Sequence, residues 1–120
     1  MEDHVSVLKF EDNISVTFYI ENAEILAIGD KMNAINEEAY MNGYNWEAFL
    51  NYYLSEHAPD ILEGLETDPE AGMYAAYYDE LTPENEAKAE RFAEIIRQLI
   101  ANEDELYRIV REEGDEIEWD

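Results

Sequence analysis

The 120-residue sequence contains no cysteine and only seven Lys or Arg residues. The absence of cysteine excludes disulfide scaffolds, catalytic thiols and zinc sites with thiolate ligands. The N-terminus shows no basic stretch followed by an apolar one, so we predict no secretory signal peptide. No apolar run approaches the ~20 residues of a membrane-spanning helix. These absences together predict a cytoplasmic protein.

The scarcity of basic residues leaves the chain with a strongly one-sided charge. It has 31 acidic residues and a formal net charge of −24. Such a charge repels nucleic acid, which proteins bind largely through Lys and Arg, and it disfavours binding to anionic membranes. It favours rapid association with a basic protein or with metal cations. We therefore expect a basic protein partner, with no nucleic acid and no membrane.

The acidic residues surround most of the tyrosines in the middle of the chain. Residues 32–87 contain 13 acids and seven of the nine tyrosines, but neither Lys nor Arg. Adaptation to a saline habitat is an alternative explanation of the acidity, but it would spread the charge over the whole chain. The localised charge instead favours a surface that recognises a cationic partner.

No pattern of residues indicates a catalytic or cofactor site. The two histidines are His4 and His57, and Ser55 is only two residues from His57, so the two side chains would face different sides of a helix. We interpret His57 as a partly buried, structural residue. The five glycines form no phosphate-binding loop, and no calcium-loop or zinc-protease motif occurs. We predict a protein that is not an enzyme and that has no cofactor and no metal site.

Alternating apolar and polar residues predict a β-hairpin from residues 5–10 and 14–20. The preferred connection is a three-residue loop at 11–13, in which Asn13 supplies a left-handed conformation. This register pairs Phe10 with Ile14 and Leu8 with Val16. Residues 25–28 could extend the sheet or lead directly into a helix.

A short apolar and aromatic stretch at residues 73–78 predicts a further strand, with which residues 62–67 could close a second hairpin. Residues 60–65 could instead form a short turn of helix. Alternation along the strand places Met73, Ala75 and Tyr77 on one face and Tyr74, Ala76 and Tyr78 on the other. Because both faces carry aromatic residues, one of them is either covered by helices or offered to a partner.

The remaining apolar pattern predicts about four helices, each beginning at a residue that can cap it. The predicted caps are Asp30, Asn45, Thr82 (followed by Pro83) and Asn102. Asn42-Gly43 is expected to end the first helix, and Gly114 the last, before an acidic tail at residues 115–120 in which Trp119 can pack back on the domain.

The second helix, predicted at residues 45–57, concentrates the aromatic residues. Its apolar residues recur at i, i+3, i+4, i+7 and i+8, a stripe typical of a helix that faces a core. The stripe consists of Trp46, Phe49, Leu50, Tyr53 and Leu54. We therefore predict one α+β domain over residues 1–120, with a small antiparallel sheet (the N-terminal hairpin plus the strand near 73–78) packed against about four helices.

Exposed tyrosines bordered by acids are typical of a surface that binds an Arg- or Lys-rich protein. On the aromatic helix, the residues beside the apolar stripe are the ones expected to reach solvent. The candidate partner-binding residues are Tyr44, Glu47, Tyr52, Asp68, Glu70, Tyr74, Tyr78, Asp79 and Glu80.

Two motifs, GYNWEAFLNYYL at residues 43–54 and LETDPEAGMYAAYYD at residues 65–79, resemble the immunity protein 51 family of bacterial polymorphic toxin systems. The order of predicted elements agrees over nearly the whole chain. The resemblance implies a small cytoplasmic α+β protein that binds and neutralises a cognate toxin, which protects the producing cell and its kin. It identifies neither the toxin nor any functional residue.

Two other classes of function compete with this interpretation. An acidic mimic of nucleic acid, or an adaptor, would bind basic proteins generically, whereas an immunity protein rejects non-cognate toxins. A hydrolase that uses paired carboxylates is the third hypothesis, because any two of the many acids could approach each other in space. The negative charge favours a basic toxin, for which a nuclease is one hypothesis.

Overall fold

A computed structural model describes residues 4–119, in which a four-stranded sheet is combined with five α-helices. The strands are β1 (Val5–Lys9), β2 (Ile14–Tyr19), β3 (Leu65–Thr67) and β4 (Met73–Tyr78). The helices are α1 (Ala23–Ile35), α2 (Gly43–His57), α3 (Pro59–Leu62), α4 (Pro83–Ala101) and α5 (Glu103–Glu113), followed by a short 3-10 helix at Gly114–Glu116. The α+β prediction is confirmed; residues 1–3 and Asp120, the last residue of the predicted tail, lie outside the described residues.

The sheet has the order β1-β2-β4-β3, and all neighbouring strands are antiparallel. The second predicted hairpin is confirmed, because β3 pairs with β4. Helices α2 and α4 pack on one face of the sheet: Phe18 contacts Trp46 of α2 with ring centroids 5.0 Å apart, and Tyr74 contacts Phe92 of α4 at 6.0 Å. We call this side of the sheet the helix-covered face. The main core therefore lies between the helix-covered face and the helices.

The register of the first hairpin differs from the prediction by one residue on β1. Lys9 pairs with Ile14, and the Phe10 N–H donates to the Asn13 carbonyl at 2.8 Å, which closes a two-residue turn. No residue other than glycine has a positive φ between residues 4 and 119, so the left-handed Asn13 was also wrong. A one-residue slip moves every side chain of a strand to the opposite face.

This register buries the valines of β1 in place of the residues predicted for the core. Val5 is buried beside Phe18, whereas Leu8 and Phe10 are 41% and 54% exposed on the opposite face. The predicted register would have put the hydroxyl of Ser6 on the core face between Leu8 and its neighbours. A buried hydroxyl without a partner costs free energy, so the observed register is favoured.

Helix α1 begins earlier than predicted. The Asn22 side chain accepts a hydrogen bond from the Ile25 N–H at 3.0 Å, so residues 25–28 belong to the helix and not to the sheet. Asp30 lies inside α1 and is not its cap, contrary to the prediction. The chain leaves the helix after Ile35, and Tyr40 beyond it is 70% exposed.

Helix α2 is capped by Asn42, whose side chain accepts from the Asn45 N–H at 3.0 Å. The prediction of Asn45 as the cap was wrong: its side chain is buried, and its amide donates to the Tyr40 carbonyl at 2.5 Å. The helix starts at Gly43 because the turn between β3 and β4 lies against it, where the Gly43 N–H donates to the Ala71 carbonyl at 2.9 Å.

The last two helices begin and end as predicted. Thr82 caps α4 through its hydroxyl, which accepts from the Asn85 N–H at 3.0 Å, and Pro83 follows as the first helical residue. Gly114 ends α5, and the Trp119 Nε1–H donates to the Gly114 carbonyl at 3.1 Å, which holds the chain end against the domain. Within residues 4–119, no helix has the length and apolar character needed to cross a membrane.

Candidate partner-binding surface

Seven of the nine predicted partner-binding residues fall into three places on the molecule. Tyr44, Glu47 and Tyr52 lie on α2; Asp68 and Glu70 lie in the turn between β3 and β4; Asp79 and Glu80 follow β4. The acids of the turn and those after β4 are at opposite ends of the sheet, which are about 20 Å apart for a six-residue strand. The structure therefore does not gather these residues into one patch.

Tyr74 and Tyr78 belong to the core, so their prediction as partner-contacting residues was wrong. Both side chains point to the helix-covered face of β4 and are 0% and 1% exposed. The Tyr78 hydroxyl donates to the Ile61 carbonyl at 2.5 Å, and burial raises the pKa of Tyr78 to about 12. The strand alternation was predicted correctly, but the face that the helices cover was not.

The three predicted residues of α2 line a groove with a volume of about 600 Å³ between this helix and the C-terminal residues. The opposite wall includes Glu116, Glu118 and Trp119, which the sequence-based prediction did not include. These residues were missed because only tertiary folding brings the chain end to α2.

Hydrogen bonds within the protein already occupy several polar groups of this groove. The Tyr52 hydroxyl donates to Glu113 and, at 3.2 Å, to Glu116. These bonds raise the pKa of Tyr52 and lower that of Glu113, whose carboxylate is further stabilised by Arg108. Glu47 accepts a hydrogen bond from the Thr67 hydroxyl.

The face of the sheet opposite the helices, which we call the open face, carries apolar and aromatic side chains. Leu8 and Tyr19 are 41% and 45% exposed, and Met73 and Tyr77 are half-buried. Sequence reasoning missed Leu8 because its register was wrong. The signal that could have identified Tyr19 is the alternation of Ser15, Thr17 and Tyr19 along β2.

The seven basic residues of the chain are segregated from the open face. Six lie on helices α1, α4 and α5, and the seventh, Lys9 at the end of β1, reaches Glu86 of α4 at 2.6 Å. Each of the seven has an acidic partner within 4 Å: Lys9, Lys31, Lys88, Arg91, Arg97, Arg108 and Arg111. The helix side of the molecule is therefore partly neutralised, and the sheet side is not.

His57 lies at the end of α2. His57 is exposed and its ring lies 4.4 Å from that of Tyr53, so the prediction of a partly buried His57 was wrong. Among residues 4–119 there is no group of three or more His, Asp or Glu side chains that could hold a metal ion.

Comparison with protein families gives a match that covers nearly the whole chain. A model of the immunity protein 51 family matches residues 6–115. No curated protein and no solved structure matches the chain. The matched region includes all four strands and helices α1 to α5, apart from the first residue of β1. The chain therefore belongs to the immunity protein 51 family, which indicates a toxin-neutralising role.

Proposed function

We propose that this protein binds a cognate toxin domain with a basic surface and neutralises it without any catalysis of its own. The observation that carries the proposal is the distribution of charge. The basic residues are paired with acids on the helix side, while the acids around the sheet have no cation beside them within residues 4–119. An unneutralised acidic surface accelerates association with a basic protein.

A nuclease is the toxin class that fits this mechanism best. Nucleases bind phosphates through clefts rich in Lys and Arg, and an acidic protein that covers such a cleft competes directly with the nucleic acid. Inhibition of this kind requires tight, slow dissociation and no reactive group on the inhibitor. We place the interaction in the cytoplasm of the producing cell, where the toxin would otherwise act.

The test is co-expression with the toxin domain encoded in the gene beside that of this chain. We expect growth to be restored when the two are expressed together, and a complex of the two proteins to be recovered. A toxin domain from an unrelated system serves as the control and should remain lethal. Absence of both rescue and complex would contradict the proposal.

The same experiment separates the proposal from a generic mimic of nucleic acid. A mimic would bind unrelated basic proteins, and its affinity would depend only on their charge. Rescue from the unrelated toxin, or equal affinity for a basic protein such as cytochrome c, would favour the mimic. An immunity protein binds its cognate toxin and rejects both controls.

A further inference from the structure

We propose that the open face of the sheet is the surface that docks the Lys- and Arg-rich face of the toxin. The proposal rests on the toxin-neutralising function and specifies where on the molecule it is carried out. Three features of the described residues support it: the apolar and aromatic side chains of the face, the acids at its two ends, and the absence of Lys and Arg side chains on it.

A row of small side chains crosses the strands at the middle of the open face. Ser6, Thr17 and Ala75 lie side by side on β1, β2 and β4 because of the strand register, and all three side chains are small. Larger side chains lie on both sides of this row. On one side Tyr19 pairs with Met73; on the other side Leu8 and Tyr77 both pair with Ser15, which lies between them. Thr17 in this row is only 7% exposed, so Lys or Arg side chains of a partner would contact the larger flanking side chains, whose tyrosine rings can bind a cation.

An acidic residue lies at the end of this row, at the edge of the sheet. The Asp68 N–H donates to the Ala75 carbonyl at 2.8 Å, which extends the pairing of β3 and β4 by one residue. Asp68 thus continues the row of Ser6, Thr17 and Ala75, and it is exposed. Its carboxylate is available to a guanidinium or an ammonium group of a partner that contacts the open face.

Further acids border both ends of the open face. At one end the turn between β1 and β2 contacts the segment after β4, where the Leu81 N–H donates to the Asp12 carbonyl at 3.1 Å. At the other end Glu21 lies against Gly72 in the turn between β3 and β4, since a Cβ on Gly72 would be 2.2 Å from its Oε1 atom. The bordering acids are Glu11, Asp12, Glu21, Asp68, Glu70, Asp79 and Glu80.

The negative charge of these acids determines which kind of partner can bind the open face. None of the seven forms an ion pair with a basic residue within residues 4–119. A second copy of this chain would bring the same acids face to face, and like charges in an interface disfavour association. A basic protein surface would instead make favourable contacts with both the apolar centre and the acidic border of the open face.

The size of the face is compatible with a specific complex when the border takes part. Strands of six residues spaced by ~4.8 Å give a face of about 20 Å by about 15 Å. That area is smaller than the ~800 Å² which each partner buries in a standard interface. The acidic turns at both ends are therefore expected to contact the partner as well.

The experiment compares single substitutions on the open face with matched substitutions elsewhere. Tyr19→Thr, Tyr77→Thr and Leu8→Thr keep a residue that favours strands but remove apolar area. Tyr40→Thr is the control for an exposed tyrosine away from the sheet, and Tyr44→Ala tests the groove on α2. Affinity for the toxin domain encoded beside this gene is measured by calorimetry, and folding by urea unfolding.

We expect Tyr19→Thr and Tyr77→Thr to weaken binding by about 30-fold or more each, as at interface hot spots, mainly through faster dissociation. Tyr40→Thr should change the affinity by less than about threefold. Open-face variants that bind like the unsubstituted chain, while Tyr44→Ala weakens binding, would overturn the proposal. If the unsubstituted chain does not bind this toxin at all, the toxin-neutralising function itself fails.

A measurement on the unsubstituted protein covers the case in which a variant does not fold. Hydroxyl-radical footprinting of the complex should protect Tyr19 and Tyr77 and leave Tyr40 as reactive as in the free protein. Equal reactivity of Tyr19 and Tyr77 in the free and bound states would contradict the proposal. A dimer in analytical ultracentrifugation that Tyr19→Thr dissociates would assign the open face to a second copy and would also overturn it.

Discussion

At the residue scale, two tyrosines on the same face of β4 have opposite hydrogen-bonding states. Tyr78 donates its hydroxyl proton to the Ile61 carbonyl, whereas the buried hydroxyl of Tyr74 has no hydrogen-bond partner among residues 4–119. A buried polar group without a partner costs free energy, and removing one partner of a buried hydrogen bond leaves the other unsatisfied. The two residues therefore form a matched pair for mutagenesis.

We expect Tyr78→Phe to lower the free energy of unfolding by about 1–3 kcal/mol, because the Ile61 carbonyl loses its donor. Tyr74→Phe should be neutral or slightly stabilising, because it removes a hydroxyl that gains nothing from burial. Urea unfolding of both variants checks the difference. Equal losses of stability in the two variants would show that the hydrogen bond of Tyr78 is not what distinguishes them.

Gly43 is the residue where the aromatic helix meets the turn between β3 and β4. A Cβ at this position would lie 1.8 Å from the Glu70 carbonyl oxygen and 2.4 Å from that of Met73. Because both are backbone atoms, the clash cannot be relieved by a change of rotamer. The close approach of helix and turn therefore requires glycine.

Gly43→Ala should lower the free energy of unfolding by about 2–4 kcal/mol, since helix and turn must separate. Gly64→Ala is the control: its φ of 78° disfavours alanine, but the nearest atom to its Cβ would be 3.9 Å away. That variant should lose only about 1 kcal/mol, the cost of the left-handed conformation. If the Gly43→Ala variant had the same free energy of unfolding as the Gly64→Ala variant, this explanation of the helix start would be contradicted.

At the scale of elements, the contact of α2 with the end of α5 depends on ionisation. The Tyr52 hydroxyl, and after it Arg108, holds the pKa of Glu113 below its usual value of 4.5. A carboxyl group whose pKa is lowered by folding stabilises the protein above its unfolded-state pKa. This contribution is lost as the pH falls through the folded-state pKa.

We therefore expect Tyr52→Phe to lower the free energy of unfolding at pH 7, by less than about 1 kcal/mol because the pair is only partly buried and solvent screens it. The difference between the two proteins should shrink as the pH falls below 4.5, since protonated Glu113 no longer gains from the hydroxyl. Urea unfolding of both proteins across this pH range tests the sign. A difference that grows on acidification would refute the assignment.

Element ends with a strong local signal could be predicted from the sequence. Thr82-Pro83 and Gly114 mark helix ends through the chemistry of a single residue or pair, and both were predicted correctly. Asn42 and Asn45 can each cap a helix, and the choice between them depends on the turn that packs on Gly43. The local sequence therefore could not show which of the two asparagines caps the helix.

The candidate surface was predictable in composition but not in position. The acids in turns were identified from charge alone, and they do border the open face. The pairing of β4 with β2 determines which side of β4 the helices cover, and the sequence does not show this pairing. Tyr74 and Tyr78 were therefore assigned to the surface, and Tyr77 was not. The register of β1 was ambiguous because either Val5 and Val7 or Leu8 and Phe10 could face the core. For this reason Leu8 was not predicted as an exposed residue.

At the scale of the whole molecule, charge is arranged so that the sheet side and the helix side differ. Self-repulsion from a net charge of −24 opposes compact folding, and the ion pairs of α4 and α5 reduce that repulsion on the helix side only. The open face keeps its uncompensated acids, which is unfavourable for the free protein and favourable for a complex with a basic partner. The family indicates a toxin-neutralising role, and we propose that this asymmetry accounts for recognition of the toxin.

The most direct test of this account is the association rate constant with the cognate toxin domain, measured by stopped flow from low to high salt. Screening weakens attraction between exposed charges, so we predict at least a tenfold fall in this rate between about 50 mM and about 500 mM NaCl. A variant with Asp68→Asn, Glu70→Gln, Asp79→Asn and Glu80→Gln should associate more slowly at low salt and depend less on salt. An association rate that is the same at both salt concentrations would contradict electrostatic recognition of a basic toxin.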